Sequence, residues 1–103
     1  MGALEFDPLL LSPVRLGVLS VLMTRSEASF SDLKELLAVT QGNLGLHLQK
    51  LEEGGYVAVD KAFVERRPRT TCRITAAGRR AFLAHLAQLQ QIAAQAGTGL
   101  TRP

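Results

Sequence analysis

The chain has 103 residues, of which 47% are hydrophobic and only 5% aromatic, and this predicts one domain with a core of Leu, Val and Ala. The single cysteine excludes an intrachain disulfide, and no apolar stretch reaches the roughly 18 residues that a membrane span requires. Residues 1–60 carry four basic and eight acidic side chains, whereas residues 61–103 carry eight basic and one acidic, so the second part is expected to present a positive face to a polyanion.

The N-terminal segment, residues 1–11, lacks the pattern of a secretory leader. Glu5 and Asp7 precede its leucines, and Arg15 interrupts the apolar residues that follow. We therefore expect a cytoplasmic protein with no membrane partner.

A first helix is predicted to begin at Pro13, because Ser12 is a good N-cap and proline is favoured at the first helical position. From Val14 to Met23 nearly every residue is apolar, and a helix that is apolar on most of its circumference is buried on more than one side. Two explanations stay open: the helix is the centre of the core of one chain, or it also packs against a second copy.

A helix-turn-helix is predicted next. After a very short strand at 28–30, Ser31 or Ser29 caps a helix that runs through Leu37, with its leucines (Leu33, Leu36 and Leu37) turned inward. Thr40 then caps a second helix, recognition helix 40–53, and Gly54 is expected to end it in the left-handed conformation. The connection of about three residues between the two helices is typical of a helix-turn-helix.

The second of these helices has two faces of different chemistry. Leu44, Leu48 and Leu51 recur at four- and three-residue spacing and form one apolar stripe. The opposite face is polar and short-chained, which suits the reading of base edges in the major groove of DNA. The residues predicted to contact DNA from this helix are Thr40, Gln41, Asn43, Leu46, His47 and Lys50. For His47, whose angular position lies close to that of Leu51, partial burial with one hydrogen bond is favoured slightly over direct contact with DNA.

A hairpin with a basic tip follows. The strands are predicted at 56–63 and 70–75, with Cys72 and Ile74 on one face, and the loop between them is predicted at Val64–Arg69, because this segment is polar and contains a proline. The residues expected to meet the DNA backbone or minor groove are Arg66, Arg67, Arg69, Thr70 and Thr71. The two threonines are equally explained as residues that favour strands.

The last predicted helix is capped by Thr75 and runs to about Ala96. Its apolar residues recur at alternating four- and three-residue spacing, a narrow seam of the kind that joins two helices. Together with the first helix, this seam predicts a homodimer whose interface contains Leu9, Leu10, Leu11, Val14, Val18, Phe82, Leu86, Leu89 and Ala93. The domain is predicted to span 1–96, and 97–103 is predicted to be a flexible tail.

The sequence offers no pattern of catalytic or metal-binding residues. Acidic residues are few and scattered, and one cysteine with two histidines, His47 and His85, cannot supply a tetrahedral metal site without carboxylates. We expect no enzymatic activity, no catalytic residues, no metal and no cofactor.

The residues that carry these predictions resemble a known family. TQGNLGLHLQKLEEGGYV, followed by RRPRTTCRITAAGRRAF, is similar to the winged-helix domains of small bacterial and archaeal regulators related to the MarR and ArsR repressors, over residues 11–89. The resemblance implies an α+β, mainly helical winged helix-turn-helix with a two- to three-stranded wing and a long C-terminal dimerisation helix. Glycine is usual in that family where this chain has Glu65.

Two hypotheses for the function follow. In the first, the chain is a homodimeric, sequence-specific regulator of transcription that binds double-stranded DNA, with a small-molecule effector left unidentified. In the second, the winged helix docks an acidic protein partner. Retention on DNA that salt reverses would favour the first hypothesis.

Overall fold

The computed structural model describes residues 5–97 and contains four helices and one small sheet in that range. After a short 3-10 turn at Pro8–Leu10, the elements are α1 Pro13–Arg25, β1 Glu27–Ser29, α2 Phe30–Leu37, α3 Gln41–Glu53, β2 Val57–Val64, β3 Arg67–Ile74 and α4 Ala76–Gln95. This order confirms the mainly helical α+β architecture with a hairpin wing and a long last helix. Of the predicted tail, 98–103 lies outside the described residues.

Each helix begins where a side-chain oxygen can accept a backbone N–H of its first turn. Ser12, Ser29, Thr40 and Thr75 all accept the N–H of the residue three positions later, at 3.0–3.2 Å. Such a cap stabilises a helix by about 1 kcal/mol. The choice that the sequence left open between Ser29 and Ser31 is settled in favour of Ser29.

The core lies between α1, the inner faces of α2 and α3, and the sheet. Leu44, Leu48 and Leu51 are buried along one stripe of α3, as predicted. They pack with the other buried apolar residues, among them Leu19, Leu22, Leu33, Val57, Cys72 and Ile74. Leu36, which was expected to face inward, is 51% exposed, because the eight-residue α2 covers the core with one narrow face only.

The sheet has the strand order β1-β3-β2 and is antiparallel throughout. The loop predicted at Val64–Arg69 is wrong: β2 and β3 are joined by the two residues Glu65 and Arg66, and Pro68 belongs to β3. Val64 and Arg67 flank the turn as a hydrogen-bonded pair, so Phe63 and Pro68 form the next, non-hydrogen-bonded pair. The nitrogen of Pro68 therefore points away from β2, beyond the end of β1, where no ladder bond is lost.

Glycine is required at two places after α3: in the turn that follows the helix and at the close contact between α4 and Tyr56. Gly55, with φ +82°, takes the left-handed conformation, whereas Gly54 stays right-handed at φ −78°, so the prediction of a left-handed Gly54 was one residue early. Gly78 lies in the first turn of α4 against the chain at Tyr56, and a Cβ there would lie 2.2 Å from the Tyr56 carbonyl oxygen. Only glycine lets α4 start this close to β2.

Candidate nucleic-acid interface

The outer face of α3 is open to solvent along its length. Gln41, Asn43 and Lys50 are exposed, and Leu46 leaves 53% of its surface exposed on the side opposite the buried leucines. Thr40 is exposed as well, but its hydroxyl oxygen accepts the N–H of Asn43 at 3.2 Å. This face therefore presents amide, ammonium and apolar groups to a partner, while the hydroxyl of Thr40 caps the N-terminus of the helix.

His47 is half-buried and ties α3 to the N-terminal segment. Arg15 donates from Nη1 to His47 Nδ1 at 2.9 Å and from Nε to the carbonyl of Leu9 at 2.6 Å. Burial, together with the positive charges of Arg15 and then Lys50, lowers the pKa of His47 from its ordinary value. The neutral imidazole that accepts from Arg15 is thus favoured, and His47 supports the helix from beside its outer face.

Arg15 contributes to this site although it was not among the predicted site residues. The signal for it was a lone arginine at the start of an otherwise apolar helix. Its guanidinium donates hydrogen bonds to the backbone of the N-terminal segment and to the histidine of α3. A half-buried cation needs such partners, because it has lost part of its contact with water.

The two faces of the β2–β3 hairpin differ. Along the inner face, Val59 and Cys72 pack in the core, and the pairs Lys61–Thr70 and Phe63–Pro68 continue the same face beyond it. Along the outer face lie the pairs Ala62–Arg69 and Val64–Arg67. Alternation of side chains along the strands thus places Arg67 and Arg69 together on one side of the wing.

Arg66 occupies the tip of the wing. Both turn residues have positive φ, 52° for Glu65 and 67° for Arg66, which is the backbone of a type I′ hairpin turn. Residues other than Gly, Asn and Asp rarely adopt it, at a cost of roughly 1–2 kcal/mol each. Glycine at position 65, which the resemblance to winged-helix regulators leads us to expect there, would therefore remove strain.

Among the described residues, the three wing arginines have no ion-pair partner. Within residues 5–97, the ion pairs are Arg25–Asp32 at 3.9 Å and Arg73–Asp60 at 3.5 Å. Neither involves Arg66, Arg67 or Arg69, and all three are exposed. Their charge is consequently available to an external anion.

A cleft of about 670 Å³ separates α3 from the inner face of the hairpin. The residues that line it include Gln41, Gly42, Gly45 and Gln49 from α3, and Val59, Lys61 and Thr70 from the hairpin. Of the predicted DNA contacts, the structure thus brings Gln41 and Thr70 together here. Thr71 lies on the opposite face of β3, where it is paired with Ser29 of β1.

Of the ten lining residues, only Gln41 and Thr70 were predicted DNA contacts; those not predicted include Gly42, Gly45, Gln49 and Lys61. A Cβ built on Gly42 or Gly45 would meet nothing within 4 Å, so the backbone of α3 is bare along this side. Two glycines within one helix were the available signal, since glycine in a helix costs stability and needs a reason such as close approach of a ligand.

The predicted dimer residues divide into two groups. Leu10, Val18 and Phe82 are 1%, 0% and 8% exposed, so they belong to the core of a single chain and are withdrawn from the interface. Leu9, Val14 and Ala93 are half-buried, while Leu11, Leu86 and Leu89 are 63%, 36% and 43% exposed. A groove of about 420 Å³ between α1 and α4, lined by Leu16, Gly17, Phe82 and Leu86 among others, runs beside the exposed leucines.

The remaining ionisable side chains of interest are buried. Cys72 is 0% exposed, and burial, followed by the charge of Glu52, raises the pKa of its thiol to about 11. His85 is 5% exposed and packs against the Phe6 ring in an edge-to-face arrangement, with 5.4 Å between ring centroids.

Residues 5–97 contain no group of three or more His, Cys, Asp or Glu side chains placed to hold a metal ion. In the same range, no helix is long and apolar enough to cross a membrane.

Known proteins share both the sequence and this geometry. The family described as winged helix DNA-binding domain matches residues 14–93. An uncharacterised protein of Methanocaldococcus jannaschii is 40% identical over 81 residues, which cover 79% of this chain and 88% of that protein. The structure of a transcriptional regulator homologue from Pyrococcus horikoshii is 33% identical, with a TM-score of 0.87 over 95% of this chain and 100% of the other.

More distant structures share the fold. BpsR of Bordetella bronchiseptica, whose DNA binding is regulated by 6-hydroxynicotinic acid, is 21% identical, with a TM-score of 0.72 over 94% of this chain and 73% of its own. A mutant form of MarR from Escherichia coli is 22% identical, with a TM-score of 0.72 over 85% of this chain and 64% of its own. Since the family match spans most of the chain and includes α3 and the wing, the chain belongs to the winged helix DNA-binding domain family, as its resemblance to winged-helix regulators predicted.

Proposed function

We propose that the chain is a homodimeric regulator of transcription that binds double-stranded DNA in a sequence-specific manner. In this proposal, α3 enters the major groove and the basic wing, residues 61–70, lies on the backbone and in the adjacent minor groove. One observation carries it: α3 borders the same cleft as the hairpin through Gln41, at the start of its outer face, and through the glycines beside that face, and the three arginines of the wing have no ion-pair partner within residues 5–97.

The side chains of α3 have the chemistry to distinguish bases. Gln41 and Asn43 are exposed amides at the start of the helix, and such amides form paired hydrogen bonds with adenine. Leu46 offers an apolar contact for a thymine methyl group. Lys50, one turn after Leu46, would meet a phosphate in this proposal and fix the register of the helix without reading sequence.

The last helix supports the homodimer. Phe82, Leu86 and Leu89 follow one stripe of α4, and this stripe is covered at Phe82 but uncovered at the other two residues. A second copy that covers it would shield leucines that one chain leaves in water. Two recognition helices about 34 Å apart would then meet successive major grooves and read a near-palindromic site.

The first test removes the wing charges. We expect the triple variant Arg66→Ala, Arg67→Ala, Arg69→Ala to bind all duplexes more weakly, and the log–log salt dependence to become shallower by about 0.9 for each arginine that meets a phosphate. Arg80→Ala removes an exposed positive charge outside α3 and the wing and serves as the control. Fluorescence anisotropy of a labelled duplex at several salt concentrations measures both quantities. Unchanged binding by the triple variant would refute the role of the wing.

The second test concerns sequence reading. A preferred site is first selected from a random pool of duplexes, and Asn43→Ala is then compared with the wild type on that site and on single-base variants of it. We expect the variant to lose about 1–3 kcal/mol of discrimination at one position and to bind mixed-sequence DNA as before. A chain that yields no selected site and is not retained on DNA would instead favour the docking of an acidic protein.

A further inference from the structure

Phe63 is an aromatic ring left in water. It exposes 78% of its surface, more than any other large hydrophobic side chain in the described part of the chain. Its neighbour Val64 exposes 48% on the other face of the hairpin. A short polar residue would serve a solvated strand equally well, so the ring at this position calls for a partner that covers it.

The position of Phe63 excludes the core of its own chain as that partner. Val59 and Cys72 form the last core pair on the inner face of the hairpin, and Phe63 lies four residues further along β2. At about 3.4 Å per residue, the ring stands roughly 14 Å beyond the core, next to the turn. It lies on the same face as Lys61 and Thr70, which border the cleft with α3.

The charge around Phe63 identifies the partner. Near Phe63 the hairpin carries four basic side chains: Lys61 on the same face, Arg66 at the tip, and Arg67 and Arg69 on the opposite face, with Glu65 as the acidic neighbour in the turn. An apolar ring on a hairpin end of this charge fits a partner that has anions outside and flat apolar surfaces inside, which is the composition of a DNA duplex. Phenylalanine is among the side chains that proteins insert between base pairs from the minor groove.

We infer that Phe63 enters the minor groove beside the α3 contact and wedges between two adjacent base pairs, an inference that rests on the proposed function. Two strands about 4.8 Å apart, with their side chains, do not fit a minor groove about 6 Å wide unless the groove opens. Partial unstacking at the wedge opens it and bends the duplex toward the major groove. The wedge therefore favours flexible pyrimidine–purine steps under the wing, and this adds sequence preference where no base edge is read.

The chain contains no tryptophan, so one tryptophan can report on the wedge. Phe63→Trp places it in the inferred wedge, and Val64→Trp places it on the adjacent residue of the opposite face. The probe is a mixed-sequence duplex of about 30 base pairs, long enough for two half-sites, that contains TA and CA steps. We expect the duplex to quench the emission of Phe63→Trp severalfold and to protect it from acrylamide. The emission of Val64→Trp should change much less.

A second experiment separates the wedge from electrostatics. We expect Phe63→Ala to weaken binding to the same duplex about tenfold, in the range measured for aromatic stacking on bases. Because no charge is removed, the salt dependence should keep its slope, whereas Arg66→Ala should make it shallower. Energy transfer between dyes on the two duplex ends should show a smaller bend with Phe63→Ala. Since the side chain is exposed, the melting temperature should stay at the wild-type value, which confirms that the variant is folded.

The outcomes distinguish this inference from the proposed function. If the wild type does not bind duplex DNA, the proposed function fails, and the inference fails with it. If the wild type binds with the expected salt dependence but Phe63→Ala binds equally well and Phe63→Trp is not quenched, only the inference is overturned. If Phe63→Ala changes the molecular mass in sedimentation, the ring contacts a second copy, and the inference is likewise overturned.

Discussion

At the scale of single residues, His47 makes stability depend on pH. Its pKa is lowered in the folded chain, so the unfolded chain binds the proton more tightly. The associated stability is fully present above the ordinary histidine pKa of about 6.5 and is lost as the pH falls through the lowered value. We expect the free energy of unfolding, measured with urea, to fall as the pH decreases from 7.5 to 5.

Substitution of His47 isolates this contribution. Glutamine can still accept a hydrogen bond from Arg15 but does not titrate, so His47→Gln should flatten the pH dependence in that range. An identical pH profile for both proteins would mean that His47 is not coupled to folding through Arg15.

Substitution of Gly45 is expected to change the stability of the fold and the affinity for DNA in opposite directions. A methyl group there meets nothing within 4 Å, and alanine is the better helix former by about 1 kcal/mol, so Gly45→Ala should raise the free energy of unfolding. The same methyl group projects from the bare side of α3, so it should weaken binding to DNA that approaches closely. Urea unfolding and anisotropy with duplex DNA measure the two effects. Thr24→Ala, in α1 and outside the cleft, is the control; tighter or equal DNA binding by Gly45→Ala would argue against close approach.

At the scale of elements, the turn of the wing is less stable than it could be, because it carries Arg66 where glycine would fit the backbone better. Asn-Gly is the preferred sequence of a type I′ turn, so Glu65→Asn combined with Arg66→Gly should raise the melting temperature, by the equivalent of about 1–2 kcal/mol. The double variant should bind DNA more weakly, because the guanidinium at the tip is lost. Glu65→Asn alone should stabilise the hairpin without that loss. A double variant no more stable than the wild type would contradict the strained turn.

The elements also show what a sequence can and cannot predict. The starts of α1, α3 and α4 were predictable, because caps such as Ser12 and Thr75 act within one turn of chain. The start of α2 was predicted only to within two residues, since Ser29 and Ser31 are both good caps. The wing loop was not: Pro68 argues against a strand until the register is known, and only pairing with Phe63 shows that its missing N–H costs nothing. Likewise, the stripe that contains Phe82 was visible in the sequence, but which of its residues one chain buries depends on where α1 ends its contact with α4.

At the scale of the whole molecule, the uncovered part of that stripe predicts the oligomeric state. We expect the wild type to sediment at twice the chain mass of 11.1 kDa. Leu86→Glu with Leu89→Glu should give the mass of one chain, because two carboxylates would have to be buried in the interface. Leu36→Glu, at a leucine that is 51% exposed on α2, is the control and should leave the mass unchanged. A wild type of single-chain mass would end the homodimer proposal.

The charge of the whole molecule is also distributed unevenly along the chain. Five basic side chains against two acidic ones lie in the hairpin from Val57 to Ile74, while residues 1–56 carry seven acidic and four basic side chains. Such a separation amounts to a permanent dipole, and the field of a distant duplex turns it so that the hairpin leads. Encounters would then begin already oriented, with an association rate constant that falls steeply as ionic strength rises. Dissociation, governed by contacts already formed, would respond far less.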